Sequence, residues 1–200
     1  MTLAGSWSPP AGTRGLIFDC DGTLADTMPV HYRAWCHLLG PMGIVFGEER
    51  FYSLGGMPTA KIVKLLADES NVVVPDIEAT VRTKEGMFLT LLDQVKPIAA
   101  VTEIAKQYRG RMPMAVASGG YRQIIELTLK HIAVDGWFDA TVCAEDVTKH
   151  KPEPDVFLEA AKRLGVPAES CVVFEDTGIG LEAARRAGCH AVDVRPWYGR

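Results

Sequence analysis

The sequence predicts an α/β protein in which a parallel sheet is covered by helices on both faces and an all-helical lobe is inserted straight after the first strand. Three observations carry that expectation. Short apolar runs alternate with helical patterns through the second half of the chain, the arrangement that parallel sheets require. The first apolar run stops abruptly in Asp-Cys-Asp-Gly, as a buried strand opening into a loop does. The stretch from about Met28 to Lys96 holds helical patterns alone.

After a polar, Pro/Gly-rich leader, Leu16-Ile17-Phe18 reads as the first strand. Helical patterns then run from Val30 to Leu39, Lys61 to Leu66 and Ile77 to Val95. Asp26-Thr27 with Pro29, and Val95-Lys96-Pro97, are the expected crossings between lobes, because proline favours a defined extended or turn geometry. The expected division is therefore a core domain of residues 1–27 and 97–200, with a cap of residues 28–96. Met114–Ala117 reads as the second strand and ends in Ser118-Gly119-Gly120, followed by a helix with Ile124, Leu127 and Leu129 on its apolar face. Thr141–Ala144 is a weaker strand. A helix with Phe157, Leu158, Ala161 and Leu164 follows Lys151-Pro152. The strand Cys171–Phe174 ends in Glu175-Asp176-Thr177-Gly178, a helix with Leu181, Ala184 and Ala187 closes at Gly188, and Ala191–Val194 is the last strand. In such sheets ligands bind at the carboxyl ends of the strands, and the polar residues of this chain cluster there.

Of the 200 residues 48% are hydrophobic, enough to bury a full core, so one main domain with a small accessory lobe is expected. The formal net charge of -4, with Lys and Arg scattered, argues against a nucleic-acid partner. The five cysteines form no C-x-x-C pair and read as reduced core thiols. The start of the chain lacks the basic and apolar stretches of a signal peptide, and no segment approaches the roughly 18 apolar residues of a membrane helix. A cytoplasmic monomer without a membrane partner is the resulting expectation.

Asp19 and Asp21, two residues apart at the end of an apolar strand, raise each other's pKa unless a cation binds them. Glu175-Asp176 repeats the arrangement at another strand end, and Asp19, Asp21, Glu175 and Asp176 together suit Mg2+, a hard ion that prefers oxygen ligands. Lys151 adds a point charge for a phosphate, while Ser118 and the amides of Gly119 and Gly120 offer donors to phosphate oxygens. Taken singly, each has a plain structural alternative: Asp-x-Asp is often a turn or helix cap, Lys-Pro a surface turn, Ser-Gly-Gly an N-cap. The set of them on strand ends favours a site.

These residues resemble the haloacid dehalogenase superfamily. Its D-x-D-G-T motif is matched by Asp19-Cys20-Asp21-Gly22-Thr23 after Phe18, its Ser or Thr by Ser118, its Lys by Lys151, and its acidic pair by Glu175-Asp176, in the family's order and across about Leu16 to Val194. The resemblance implies a Rossmann-like three-layer core with a parallel sheet and a small helical cap. It implies that Asp19 attacks phosphorus to give an aspartyl-phosphate, that Asp21 protonates the leaving alcohol and then activates water, and that Ser118 and Lys151 bind the transferring group. It places Mg2+ between Asp19, Asp176 and the backbone carbonyl of Asp21, with Glu175 nearby. Thr23 is expected to orient Asp19 at the substrate site, or to serve a simple turn. Cys20 is expected to turn into the core, since side chains alternate along a strand.

The string Thr27-Met28-Pro29-Val30-His31-Tyr32-Arg33-Ala34-Trp35 is similar to the branch containing beta-phosphoglucomutase and sugar phosphatases. That similarity implies that His31 and Lys84 face the closed site; otherwise they are a helix-face histidine and a solvated lysine. Gly56-Met57-Pro58-Thr59, Arg111 to Val116 and Val172 to Asp176 resemble the small bacterial fructose-1-phosphate phosphatases, implying a small phosphorylated sugar as the partner molecule. A mutase of this branch carries an arginine where Thr59 stands, so hydrolysis is favoured over phosphate return. A phosphorelay receiver lacks the large cap, a dehalogenase proper does not need Asp21, and a non-catalytic relative would not fill every core position.

Overall fold

The computed structural model describes residues 7–198. Its centre is one five-stranded parallel sheet: β1 (Gly15–Phe18), β2 (Met114–Ala117), β3 (Ala140–Val142), β4 (Cys171–Glu175) and β5 (His190–Asp193), in the order β3-β2-β1-β4-β5. The first strand is central, and order reverses on either side of it, so a crevice opens at its carboxyl end. Register makes the site contiguous. Phe18 lies opposite Val116 on one side and Phe174 on the other, which sets Asp19 beside Glu175 and close to Ser118.

Both faces of the sheet are buried, and the alternation of side chains divides the core in two. Leu16, Phe18, Met114, Val116, Val172 and Phe174 point to one layer, where α5 (Ala99–Tyr108) and α6 (Arg122–His131) pack. Ile17, Ala115, Ala117, Cys171 and Val173 point to the other, against α7 (Asp155–Leu164) and α8 (Gly178–Arg186). Four helices stand between β1 and β2 in sequence, ahead of α5: α1 (Met28–Leu39), α2 (Glu48–Ser53), α3 (Thr59–Ser70) and α4 (Ile77–Thr90). They pack round a third apolar cluster that includes Trp35, Phe46, Phe51, Ile62 and Val81. Among the described residues no helix is long and apolar enough to cross a membrane.

The elements depart from expectation where local physics overrides pattern. α2, with six residues, is too short to show a period, and α5 follows directly on the proline crossing. The pattern from Ile77 to Val95 breaks at Leu91, where the backbone leaves the helical region (φ -110°, ψ 7°) before a 3-10 turn at Leu92–Gln94. β3 stops at Val142 because the amide of Cys143 donates to the Asp146 carboxylate at 2.7 Å. β5 begins and ends one residue earlier than expected. Leu127 and Leu158 are exposed, since their helices bury neighbouring positions instead. Of the cysteines, Cys20, Cys143, Cys171 and Cys189 are buried free thiols, but Cys36 is exposed. The leader also contributes: Trp7 packs edge-on against Phe174 at 4.9 Å.

Candidate active site

At the end of β1 the buried carboxylate of Asp19 accepts a hydrogen bond from Lys151 Nζ at 2.6 Å. The same ammonium donates to Glu175 Oε2 at 2.7 Å. The other oxygen of Glu175 accepts from the amides of Asp176 (3.1 Å) and Thr177 (2.9 Å) and from the Thr177 hydroxyl (2.7 Å). Thr177 in turn caps α8 by accepting from the Gly180 amide. The helix therefore fixes the acid, and the acid fixes the lysine.

Carboxylate oxygens of Asp19, Glu175 and Asp176 lie within 4.8 Å of one another. Burial, reinforced by the charges of Glu175 and Asp21, outweighs Lys151 and pushes Asp19 up to about 8. Asp176 is pushed well above its ordinary value by burial and by Glu175 and Asp19. For Lys151, burial alone would lower the pKa, but the charges of Asp19 and Glu175 win and raise it. One ammonium facing three carboxylates leaves an excess of negative charge that a hard divalent cation fits. Such an ion would be held by Asp19 and Asp176, with Glu175 beside it. The loop after β1 is built to allow this approach: Gly22 has φ +83°, and a Cβ there would stand 2.2 Å from Asp176 Oδ2.

Asp21 faces the other way. Its Oδ1 accepts from the Thr27 hydroxyl (2.8 Å) and meets His31 Nε2 (3.3 Å), and its Oδ2 accepts from Ser118 Oγ at 3.5 Å. Burial favours the neutral acid, yet the hydrogen bonds from His31 and Thr27 and the charge of Lys84 together hold its pKa below the ordinary value. Lys84 Nζ lies 2.8 Å from His31 Nδ1. An ammonium has only protons to give, so Nδ1 is the acceptor and Nε2 carries the hydrogen that Asp21 receives. Burial and the Lys84 charge keep His31 neutral by lowering its pKa, as this tautomer requires. The imidazole is stacked on Phe88 with ring centres 4.0 Å apart. Lys84 also approaches Glu85 at 3.3 and 3.4 Å, and Glu85 accepts from the Thr59 hydroxyl at 2.8 Å.

Asp19, Asp21, His31, Lys84, Ser118, Gly119 and Glu175 line one cavity between the strand ends and the inserted helices. Lys151 reaches Asp19 from beneath it. Two expectations need correction. Thr23 is fully buried and outside the cavity lining, and its hydroxyl donates to Asp176 at 3.3 Å, because the tight turn at Gly22 aims it there instead of at Asp19 or substrate. The Asp21 carboxylate stands apart from the three-acid group, committed to Thr27, His31 and Ser118, so any share Asp21 has in metal binding falls to its backbone. Asp176 lines a separate recess with Arg195 and Tyr198.

Sequence reasoning missed Thr27, Glu85, Thr177 and the Gly55-Gly56 pair. Thr27 occupies the N-cap position of α1 yet makes no side-chain cap, since its hydroxyl is spent on Asp21. The glycines seat the inserted lobe on the core. A Cβ on Gly56 (φ +84°) would stand 3.2 Å from the Ile179 side chain, and one on Gly119 would stand 3.2 Å from the Gly56 carbonyl. Tandem glycine before a helix start is the one signal that could have found them.

Similarity to known proteins agrees with this geometry. A family model described as "Haloacid dehalogenase-like hydrolase" matches residues 16–194. The chain is 44% identical to fructose-1-phosphate phosphatase YqaB of Escherichia coli strain K12 over 182 residues, 90% of this chain and 96% of that one. It is 28% identical to a phosphorylated carbohydrates phosphatase of Thermotoga maritima, covering 88% of this chain and 82% of that one. Among solved structures, beta-phosphoglucomutase from Clostridium difficile shares the fold with a TM-score of 0.84 at 23% identity, covering 90% of this chain and 84% of that chain. The chain belongs to the haloacid dehalogenase-like hydrolases and is an enzyme of their phosphatase type.

Proposed function

We propose that the protein is a Mg2+-dependent phosphatase that hydrolyses a small sugar phosphate, of the fructose 1-phosphate kind, through a phosphoryl group carried on Asp19. The observation that carries this is the pairing at the end of β1: Asp19, held by Lys151 at 2.6 Å, and Asp21, held separately by Thr27 and His31, open on one cavity. A nucleophile and a proton carrier need carboxyls in opposite protonation states; without metal Asp19 is raised and Asp21 lowered, so a cation beside Asp19 is what would ionise the nucleophile, while burial favours the proton on Asp21.

In the first step an Asp19 oxygen bonds to phosphorus, the ester P–O bond breaks, and Asp21 gives its proton to the leaving alcohol. In the second, Asp21 takes a proton from the attacking water, the new P–O bond forms, and the Asp19 carboxylate departs. Burial is the largest single influence on Asp21 and favours its neutral form, so water exclusion by the cap works in the direction the acid role needs. Ser118 Oγ and the Gly119 amide, on residues that line the cavity, would donate to phosphate oxygens, while Lys151, 2.6 Å from Asp19, offsets the charge of the nucleophile. When bound, the cation supplies further neutralisation of the transferring group.

We take residues 28–96 as the cap and the remainder as the core. The separate apolar cluster of α1 to α4 supports that division. Thr59, hydrogen-bonded to Glu85, supplies no cation for a second phosphate, which favours hydrolysis over a mutase reaction. The similarity to YqaB favours the substrate class. We further take the enzyme to act as a monomer in the cytoplasm.

The test is phosphate release from fructose 1-phosphate, glucose 6-phosphate and beta-glucose 1-phosphate with Mg2+, with hexose phosphate isomers followed by NMR. Free phosphate with a clear preference among the sugars is expected. Conversion of glucose 1-phosphate to glucose 6-phosphate without phosphate release would instead identify a mutase.

A further inference from the structure

The cavity is lopsided in charge. Its lining carries four acids, Asp19, Asp21, Glu85 and Glu175, and a single cation, Lys84, because His31 is held neutral between Lys84 and Asp21. Asp19, Asp21 and Glu175 stand at the strand ends and belong to the phosphoryl chemistry. Glu85 does not. It is carried by α4 of the inserted lobe, and the surrounding wall is apolar, with Trp35, Phe51, Leu54 and Ile62. A molecule with its phosphoryl group at Asp19 that extends toward the inserted lobe would meet this carboxylate.

Glu85 is also held in place. The Thr59 hydroxyl donates to Oε1 at 2.8 Å, whereas among the described residues Oε2 has only the long 3.4 Å approach of Lys84. An ionised carboxylate accepts at about four lone-pair positions, so Oε2 keeps room for a hydroxyl donor. Lys84, shared between His31 and Glu85, has its charge offset where it stands.

We propose that Glu85 is a specificity-determining residue: it accepts hydroxyl groups from a neutral polyol tail and turns away substrates whose far end bears a second phosphate or a carboxylate. This rests on the phosphatase reading above and deepens it. A half-buried carboxylate facing an incoming anion opposes it, while its lone pairs suit O–H donors.

The test compares kcat and KM for fructose 1-phosphate and fructose 1,6-bisphosphate, with Mg2+, in the wild type, Glu85→Gln and Glu85→Asp. Glu85→Gln keeps shape and an acceptor for Thr59 but removes the charge. The expected result is a rise of about tenfold in the bisphosphate-to-monophosphate ratio of kcat/KM, arising mainly in KM, with Glu85→Asp staying near the wild-type ratio. If Glu85→Gln fails to fold, Thr59→Lys, which sets a cation beside the carboxylate, should move the ratio the same way. An unchanged ratio in the folded variant, or an equal change in Glu85→Asp, overturns the proposal. A wild type that releases phosphate from neither sugar overturns the phosphatase reading itself, and this one with it.

Discussion

Each acidic residue of the site is distinguished by what holds it. Asp19 has one strong cationic partner and an environment that pushes it up to about 8, whereas Asp21 has three neutral donors and is held low. His31 is the group that couples Asp21 to the cap, so His31→Ala should raise the pKa of Asp21 by removing a donor to its charged form. The bond-breaking step needs Asp21 protonated, and a higher pKa keeps it protonated to higher pH. The limb on which activity falls with rising pH should therefore move upward, by about 1 pH unit for a charged hydrogen bond worth about 1.5 kcal/mol. A rate–pH profile for wild type and variant checks this, and a downward shift contradicts it.

At the residue scale the core motifs were legible because their chemistry is expensive without a site: carboxylates at the ends of apolar strands demand a cation. Asp19, Ser118 and Glu175 converge through the register that sets Phe18 between Val116 and Phe174, and Lys151 joins them from the turn before α7 by its hydrogen bonds to Asp19 and Glu175. Thr23 was misplaced because its direction depends on the turn at Gly22, a φ of +83° that residue types alone do not reveal. Glu85 was overlooked because one glutamate on an amphipathic helix looks like a solvated face until α1, α3 and α4 are brought together.

Among the elements, α8 has a structural duty beyond covering the sheet. Its first turn stands so close to Glu175 that a Cβ on Gly180 would lie 2.1 Å from the Glu175 carboxyl carbon. Gly180→Ala should displace that carboxylate from Lys151 and from the Asp176 and Thr177 amides. A loss of about 3–5 kcal/mol is expected, the range for breaking a buried ion pair, together with at least a tenfold loss of activity. Chemical denaturation alongside phosphate release measures both. A fully stable, fully active variant would show that the helix does not hold the acid. The strands and the longer helices were read correctly in place and type, because long periodic patterns survive tertiary contacts. The misses were short or terminal: α2, the end of α4 and the stop of β3, each decided by a local hydrogen bond or backbone angle instead of by pattern.

For the whole molecule, the two lobes meet across the site, and its charge balance links metal, pH and stability. In the unfolded chain Asp19 titrates near 3.8, but in the fold without metal it is raised to about 8. Between those values the native state binds more protons than the unfolded one, so this group makes the metal-free protein less stable as pH rises through that window. A bound divalent cation takes the place of the proton. Its stabilising effect should therefore grow from pH 5 to pH 8, read as a difference in melting temperature of about 2–4 °C for each kcal/mol in a domain of this size. Thermal melts with Mg2+ and with chelator across that range test it. A metal effect that is absent, or the same at every pH, contradicts the three-acid site.

The most direct measurement is phosphate release by Asp19→Asn beside the wild type, with Mg2+ and the preferred sugar phosphate, each protein checked by thermal melting. The substitution is nearly isosteric and leaves Asp21, Ser118 and Lys151 in place. A folded variant whose turnover falls by at least about a thousandfold is the expected result, since the step that loses its nucleophile has no substitute in the cavity. A folded variant that retains substantial turnover would mean that phosphate does not pass through Asp19.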